Sequence, residues 1–124
     1  MDVSGLTVSV TSGQTIRFHA YLRVTTSATT IAGELSINGP TASLISYLRR
    51  EWTSASAIAT TMGTAYNALS SQTAGPGSTV VMYEIEGVCV FTASGTFAIR
   101  AEAEVGAGGT MNVLAGSWME YNLA

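Results

Sequence analysis

Hydrophobic and polar side chains alternate with a period of two along most of the chain. The clearest stretch is 15–24, where apolar side chains occupy every second position and the intervening positions are mostly polar. Such alternation is typical of a β-strand that is buried on one face. Further stretches with strand-like patterns lie at 6–10, 31–38, 79–92, 97–105, 111–114 and 117–123. The sequence therefore predicts an all-β protein with about eight strands.

Segments rich in glycine, serine and threonine separate these stretches. Thr11–Gln14 predicts a tight turn that joins the first two strands as a hairpin, Ser94-Gly95 predicts a turn, and Gly106–Gly109 predicts another hairpin turn. Gly87 interrupts an apolar run and predicts a bulge or a close backbone approach. Residues 72–78 predict a surface loop. Short strands separated by such turns favour an antiparallel, jelly-roll-like β-sandwich, with 1–124 as a single domain.

The middle of the chain is less regular. Residues 42–52 fit a short helix, with Leu44 and Leu48 on one face, or a strand, with Ile45, Tyr47 and Arg49 on one face. We favour the strand because its surroundings are β. Residues 53–71 are rich in threonine, alanine and serine, and they predict one or two short, weak strands.

Composition and charge exclude several classes of protein. Charged residues make up 10% of the chain and the net charge is −3, with no lysine, so we expect no nucleic-acid partner. No apolar run is long enough to span a bilayer, so we expect no membrane insertion. The N-terminus has no basic region followed by an apolar stretch, so we expect no signal peptide. Cys89, the single cysteine, is expected to be buried and inert.

The residue types that catalysis needs are sparse. His19 is the single histidine, and Asp2, the single aspartate, lies at the N-terminus, so neither a Ser-His-Asp triad nor a zinc site is expected. The pairs Glu84/Glu86 and Glu102/Glu104 predict a solvated or interface face of a strand more readily than a glycosidase pair. We expect no enzymatic activity, no cofactor and no metal.

Two groups of residues could bind a partner. Arg49, Arg50 and Trp52 combine charge with a large aromatic ring beside an irregular segment, which suits receptor binding; the alternative is that Trp52 fills the core. On the polar side of 15–24, a second group comprises Arg17, His19, Tyr21 and Arg23. That group fits either a solvated outer face or a subunit interface, to which the strand around Ile99 and Ala101 would contribute.

The C-terminal third resembles a known family. The segments that carry the resemblance are Tyr83–Gly87, the turn Thr92–Thr96, a Gly-Gly-Thr turn at 108–110 and Val113–Met119. They look like the C-terminal β-sandwich domain of tailed-phage minor tail and tail-fibre proteins. The opening segments, Leu6–Val8 and Gly13–Thr15 followed by a strand with Tyr21, are similar to that family's first hairpin.

The resemblance implies a small jelly-roll sandwich that forms a tight threefold assembly at a virion surface. The low charge agrees, because a small monomer normally needs more charge to stay soluble. We expect a non-catalytic, homotrimeric fibre-head or minor tail protein for host attachment, made in the host cytoplasm and placed on the virion. Its expected partners are other virion proteins and a host-surface glycan or protein. The alternatives are a capsid decoration protein and a carbohydrate-binding module.

Overall fold

The computed structural model describes residues 1–104 and 108–124, and it confirms the predicted all-β architecture. Its eight strands are β1 (Asp2–Val10), β2 (Thr15–Thr26), β3 (Gly33–Asn38), β4 (Ala42–Trp52), β5 (Ile58–Gly63), β6 (Val81–Phe91), β7 (Gly95–Ala103) and β8 (Met111–Leu123). The strand alternative for residues 42–52 is confirmed, and 53–71 holds one strand. The turn predicted at 106–109 falls partly on 105–107, outside the described residues.

The strands form two antiparallel sheets, β1-β7-β3 and β5-β4-β6-β2-β8. The chain passes from one sheet to the other after β1, β2, β3, β6 and β7, so most neighbours in sequence are not neighbours in a sheet. This alternation is typical of jelly-roll-like sandwiches. Beside β3, where the small sheet ends, the irregular segment 64–80 contributes hydrogen bonds such as Asn67 N to Ile37 O at 2.9 Å.

The predicted hairpin pairings are wrong. β1 pairs with β7, whereas β2 pairs with β6 and β8, so the turn at Thr11–Gln14 crosses between sheets. β7 and β8, expected to meet through the glycine-rich turn, also lie in different sheets. The one pair of consecutive strands that share a ladder in the described structure is β4 and β5. A period of two shows which residues form a strand and which side of that strand is buried. It does not show which of the two sheets the strand belongs to, because strands of both sheets carry the same pattern.

The core lies between the sheets and is built from the inward side chains of both. From the large sheet come Ile16, Phe18, Tyr83, Ile85 and Phe91, and the small sheet adds residues such as Leu35, Ile37, Phe97 and Ile99. The ring of Phe97 lies 4.9 Å from that of Phe18 and 6.1 Å from that of Phe91, measured between centroids. These three rings join the two layers. Cys89 belongs to the same core, and its predicted burial is confirmed.

The prediction for Gly87 is confirmed in one of its two forms, and the prediction for residues 72–78 needs correction. The register runs without a break through Gly87 on both sides, so no bulge is present there. The expected close approach is found, since a Cβ on Gly87 would lie 2.3 Å from the Ser46 carbonyl oxygen. Residues 72–78 have no regular structure, yet Gly75, Pro76 and Gly77 are buried against the 26–31 segment rather than on the surface.

Candidate functional site

The outer sheet face, the side of the five-stranded sheet that points away from the small sheet, collects the polar side chains of the large sheet. The outward positions of β2 place Arg17, His19, Tyr21 and Arg23 on it. Neighbouring strands add side chains at matching register positions, namely Arg50 from β4, Glu84 and Glu86 from β6, and Trp118 and Glu120 from β8. The four expected interface residues of β2 therefore lie together.

His19 lies at the centre of the polar side chains on this face. Its Nε2 atom is 2.8 Å from Oε2 of Glu84 and 3.9 Å from a carboxylate oxygen of Glu86. Its Nδ1 atom is 3.8 Å from Oε1 of Glu120. Arg50 closes the group from the other side, because its guanidinium pairs with Glu84 and lies 3.6 Å from Glu86. The result is a network of polar groups in which Glu84 contacts both His19 and Arg50.

Glu84 holds this network together. Burial alone would raise the pKa of its carboxyl, but hydrogen bonds from His19, Tyr21 and Arg50 outweigh burial and lower the pKa. The pKa of Tyr21 is raised, first by its hydrogen bond to Glu84, then by burial, and also by the surrounding carboxylates. Glu84 is therefore an ionised acceptor at neutral pH, and Tyr21 is a neutral donor.

An aromatic row runs beside the charges towards the edge strand β8. The ring centroids of His19 and Tyr21 are 4.5 Å apart, and those of Tyr21 and Trp118 are 4.8 Å apart, all in tilted geometry. Trp118 is 44% exposed. An indole left so open on the side of a sheet is typical of a contact surface.

Arg23 performs a structural task beside this row. The segment Leu114–Ser117 forms a bulge in β8 opposite β2. Gly116 takes a positive φ of 93° there. Arg23 Nη1 donates to the Ala115 carbonyl at 2.6 Å, and the Arg23 amide donates to Oγ of Ser117 at 2.9 Å. The guanidinium thus fixes the bulge, and a bulge protects an edge strand from unwanted pairing.

Large apolar side chains surround the charges on the outer sheet face. They are 42–65% exposed and comprise Leu44, Ile58, Met62, Met82 and Trp118. Leu48, Val88 and Val90 lie among them and are half-buried. The outer side of a sheet that faces water is normally polar. This face therefore has the character of a surface that contacts another molecule.

The fold separates Arg49 from the other two residues expected to bind a receptor, Arg50 and Trp52, which share one side of β4. Arg50 points outward and is half-buried in the network with Glu84. Arg49 points inward and is 3% exposed, so its side chain is not available to a receptor. Trp52 is half-buried at the end of β4, where it packs against the core and donates its indole N–H to the Met82 carbonyl at 2.7 Å. Adjacent residues on a strand face opposite ways, which explains the separation of Arg49 from Arg50.

The other two residues assigned to an interface lie away from the outer sheet face. Ile99, on β7, points into the core and is fully buried. Ala101 is half-buried and packs against the same core near the open side of the sandwich between β1 and β8. Neither side chain joins the β2 residues, because β7 belongs to the small sheet.

Arg49 and Glu51 instead supply hydrogen bonds to the free edge of β3. Nη1 of Arg49 donates to the Leu35 carbonyl at 2.8 Å, and the Leu35 amide donates to Oε2 of Glu51 at 2.7 Å. Two side chains thus satisfy backbone groups that a neighbouring strand would otherwise bind. Arg49 also donates to Oγ1 of Thr61 at 2.8 Å and to the Ala68 carbonyl. The large sheet and segment 64–80 are thereby joined to the small sheet.

Glu34 lies next to this buried group. The residue is 2% exposed, and its Oε1 atom accepts a hydrogen bond from Oγ of Ser70 at 3.2 Å. Burial raises the pKa of Glu34 from 4.5 to about 7, against the lowering effect of Ser70, and the nearby charge of Glu51 raises it further. Burial likewise raises the pKa of Glu51. Both carboxyls favour the protonated form more than an exposed glutamate does.

The raised pKa of Glu34 makes stability depend on pH. The folded state holds a proton that the unfolded chain releases above pH 4.5, so the free energy of unfolding falls as pH rises from 4.5 towards 7. The unchanged protein should lose about 3 kcal/mol of its free energy of unfolding over this range. Glu34→Gln should not show this loss, because the amide has the size of the carboxyl group without its charge. Urea titrations of both proteins at pH 5 and pH 7.5 measure the difference. Equal pH dependence of the two proteins would contradict the assignment.

The outer sheet face carries an open groove of about 330 Å³, lined by residues such as Arg17, His19 and Glu120. A second groove, of about 460 Å³, lies between β1 and β8 and is lined by residues such as Val3, Leu6, Met111 and Val113. Within 1–104 and 108–124, no three histidine, cysteine or acidic side chains are grouped as metal ligands. In the same residues no helix is long and apolar enough to cross a membrane.

Sequence reasoning missed several residues of this face. Glu84 and Glu86 were noted as a pair without their partners, while Trp118, Glu120 and Met62 were not singled out. Alternation could have shown that each points outward. The sequence does not show which side chains lie next to them. That depends on strand order, because β4, β6, β2 and β8 lie side by side although they come from distant parts of the chain.

The geometry and chemistry of the outer sheet face carry the functional interpretation. No protein-family model, no curated protein and no solved structure matches this chain. The face combines the ion pairs of Glu84, an aromatic row and exposed aliphatic side chains. Such a surface suits binding to a protein more than it suits chemistry on a small substrate.

Proposed function

We propose that this chain is a non-catalytic structural and recognition module of a bacteriophage virion. It acts as a homotrimeric fibre-head or minor tail protein in host attachment. The resemblance of residues 83–119 to phage tail and fibre domains supports the assignment to a virion. The jelly-roll-like sandwich is compatible with it, although fold alone does not define function.

The observation that carries the proposal is the outer sheet face. Glu84 is paired with both His19 and Arg50, and the groove of about 330 Å³ beside His19, which Arg17 and Glu120 also line, is wide open to solvent. Proton transfer needs a group free to exchange its proton with a bound substrate. A surface whose charges are already balanced and whose apolar side chains remain open is better suited to contact between proteins.

Labelling of virions tests the proposal. An antibody raised against this chain should bind particles of the phage that encodes it at the tail tip or fibre, as seen by electron microscopy, with pre-immune serum as the control. Excess purified chain should also reduce adsorption of that phage to its host. Labelling of the head lattice would identify the capsid decoration protein instead. Absence of the chain from purified particles by mass spectrometry would refute a virion role.

A further inference from the structure

We propose that residues 64–73, here called the strap, form a pH-dependent cover that lifts from the edge of β3 when Glu34 ionises. The strap is the first part of segment 64–80, which follows β5 in the chain. Among the described residues, no strand pairs with β3 on the side away from β7, and the strap occupies that place. Its movement therefore controls whether this edge is open to another strand.

Hydrogen bonds hold the strap against β3 and β4. The Asn67 amide donates to the Ile37 carbonyl at 2.9 Å, and the Tyr47 hydroxyl donates to the Ala65 carbonyl at 2.9 Å. The side chain of Asn67 reaches over the outer side of the small sheet, where its Oδ1 atom accepts a hydrogen bond from Arg100. The strap thus covers the edge of β3 and part of the outer side of the small sheet.

The strap, and not the core, buries Glu34. Its neighbour Leu35 points into the core, so Glu34 points to the outer side of the small sheet, where water normally solvates a carboxylate. Glu34 is nevertheless 2% exposed, and the pocket beside it is lined by residues 69–73 and Glu104. Its Oε1 atom accepts a hydrogen bond from Ser70, which belongs to the strap. Lifting the strap therefore returns this carboxyl to water.

Carboxylates outnumber cations around Glu34. The ionisable groups near it come from the strands packed around it and from the residue after β7, and they are Glu51 and Arg49 of β4, Tyr83 of β6, Glu102 of β7 and Glu104. Glu102 is the direct partner of Glu34 across the ladder, so both side chains lie on the same side of the sheet. Segment 64–80 contains no charged residue, so the strap brings no cation. An ionised Glu34 beneath the strap is thus both desolvated and repelled by its neighbours.

Ionisation of Glu34 and lifting of the strap are therefore linked equilibria. Burial raises the pKa of Glu34 to about 7 beneath the strap, whereas the ordinary value is 4.5. Because the closed form binds the proton more tightly, low pH favours it, and its advantage declines as pH rises from 4.5 towards 7. Full hydration of the carboxyl on lifting corresponds to a rise of about 50-fold in the ratio of lifted to closed strap between pH 5 and pH 7.5.

Both ends of the strap remain attached when it lifts. Beyond it, the Gly75 amide donates to the Thr29 carbonyl at 3.1 Å, and the Thr26 amide donates to the Gly77 carbonyl at 2.9 Å. These hydrogen bonds involve no ionisable group. Before it, β5 is held by its ladder with β4. The strap therefore lifts as a tethered loop, which frees the Ile37 carbonyl at the edge of β3.

Amide hydrogen exchange of the wild-type chain tests the proposal. The protection factor of the Asn67 amide, measured by NMR and corrected for the intrinsic exchange rate at each pH, should fall about 50-fold from pH 5 to pH 7.5. The Ile85 amide lies on β6, inside the large sheet, and reports unfolding of the whole chain. It should stay more protected than the Asn67 amide at both pH values, because the strap opens while the sheets remain folded.

Two variants identify the group that titrates. Glu34→Gln should abolish the fall in protection at Asn67, because the amide carries no charge at either pH. Glu120→Gln is the matched control and should keep the fall, because Glu120 is 69% exposed on β8, at the opposite edge of the large sheet from β5.

Three results would overturn the proposal. Equal protection of Asn67 and Ile85 would mean that the strap opens only when the whole chain unfolds. Equal protection of Asn67 at pH 5 and pH 7.5 would remove the link to pH, and a fall that persists in Glu34→Gln would remove the link to Glu34. The first two comparisons use the wild-type chain, so they decide the matter even if Glu34→Gln does not fold. None of these results changes the labelling of virions expected from the proposed function.

Discussion

Replacement of Arg49 by methionine is expected to lower the free energy of unfolding by about 3–5 kcal/mol. The change leaves the fully buried Glu51 without its nearest cation, whose Nε atom lies 4.0 Å from Oε1. It also removes the donors to the Leu35 and Ala68 carbonyls, which hold the edge of β3 and segment 64–80. Urea denaturation followed by tryptophan fluorescence measures the loss.

Arg50→Met is the matched control for Arg49→Met. Arg50 is adjacent on β4, has the same side chain and is 38% exposed in its ion pair with Glu84. Its loss should cost at most about 1 kcal/mol, because water solvates both charges in part. Equal losses for the two variants at the same protein concentration would contradict the structural role of Arg49. In that case, loss of folding would not explain a defect in host adsorption caused by Arg49→Met.

Phe97→Ala is expected to lower the free energy of unfolding by about 3–5 kcal/mol. Phe97 is fully buried on β7, the central strand of the small sheet, and its ring packs between those of Phe18 and Phe91. Removal of the ring leaves a cavity where the two sheets meet, and the surrounding strands cannot collapse into it without losing their ladders. Thermal and urea unfolding both report the change.

Val80→Ala is the control for the loss of apolar volume. Val80 is 46% exposed and lies outside the strands, so its truncation should change stability by no more than about 0.5 kcal/mol. If Phe97→Ala cost no more than Val80→Ala, the sandwich would not depend on the contact between its layers. The prediction concerns folding alone and is independent of any partner.

The candidate site was predicted in part. Alternation along 15–24 placed His19 and Tyr21 on the polar side of a strand, and the structure finds both on the outer sheet face. The motif Arg49-Arg50 was treated as one surface, although neighbours on a strand face opposite ways. The strand was favoured for 42–52 on the basis of its surroundings, and the position of Trp52 relative to the core was left open. Arg49, like Arg23, proved to bind backbone carbonyls.

The fold was predicted in class and in its elements. Period-two alternation identified six of the strands approximately, with 111–114 and 117–123 both falling in β8, because burial on one side of a sheet imposes that pattern on each strand separately. β5, at Ile58–Gly63, was expected weakly because threonine and alanine give little contrast between faces. The pairing of the strands was not predicted. Wherever the chain passes from one sheet to the other, the two consecutive strands look in the sequence like the two strands of a hairpin.

By itself the sequence determined the class of fold, the buried side of most strands and the low charge of the surface. These properties depend on local residue order and composition, and a single strand expresses them. Strand order, the network around His19 and the use of Arg49 and Glu51 at the edge of β3 were decided by the tertiary structure. They depend on contacts between residues far apart in the chain, from 14 positions for Leu35 and Arg49 to 101 positions for His19 and Glu120. Alternation carries no information about which strand lies beside which, because hydrogen-bonded ladders are formed by backbone groups that every strand shares.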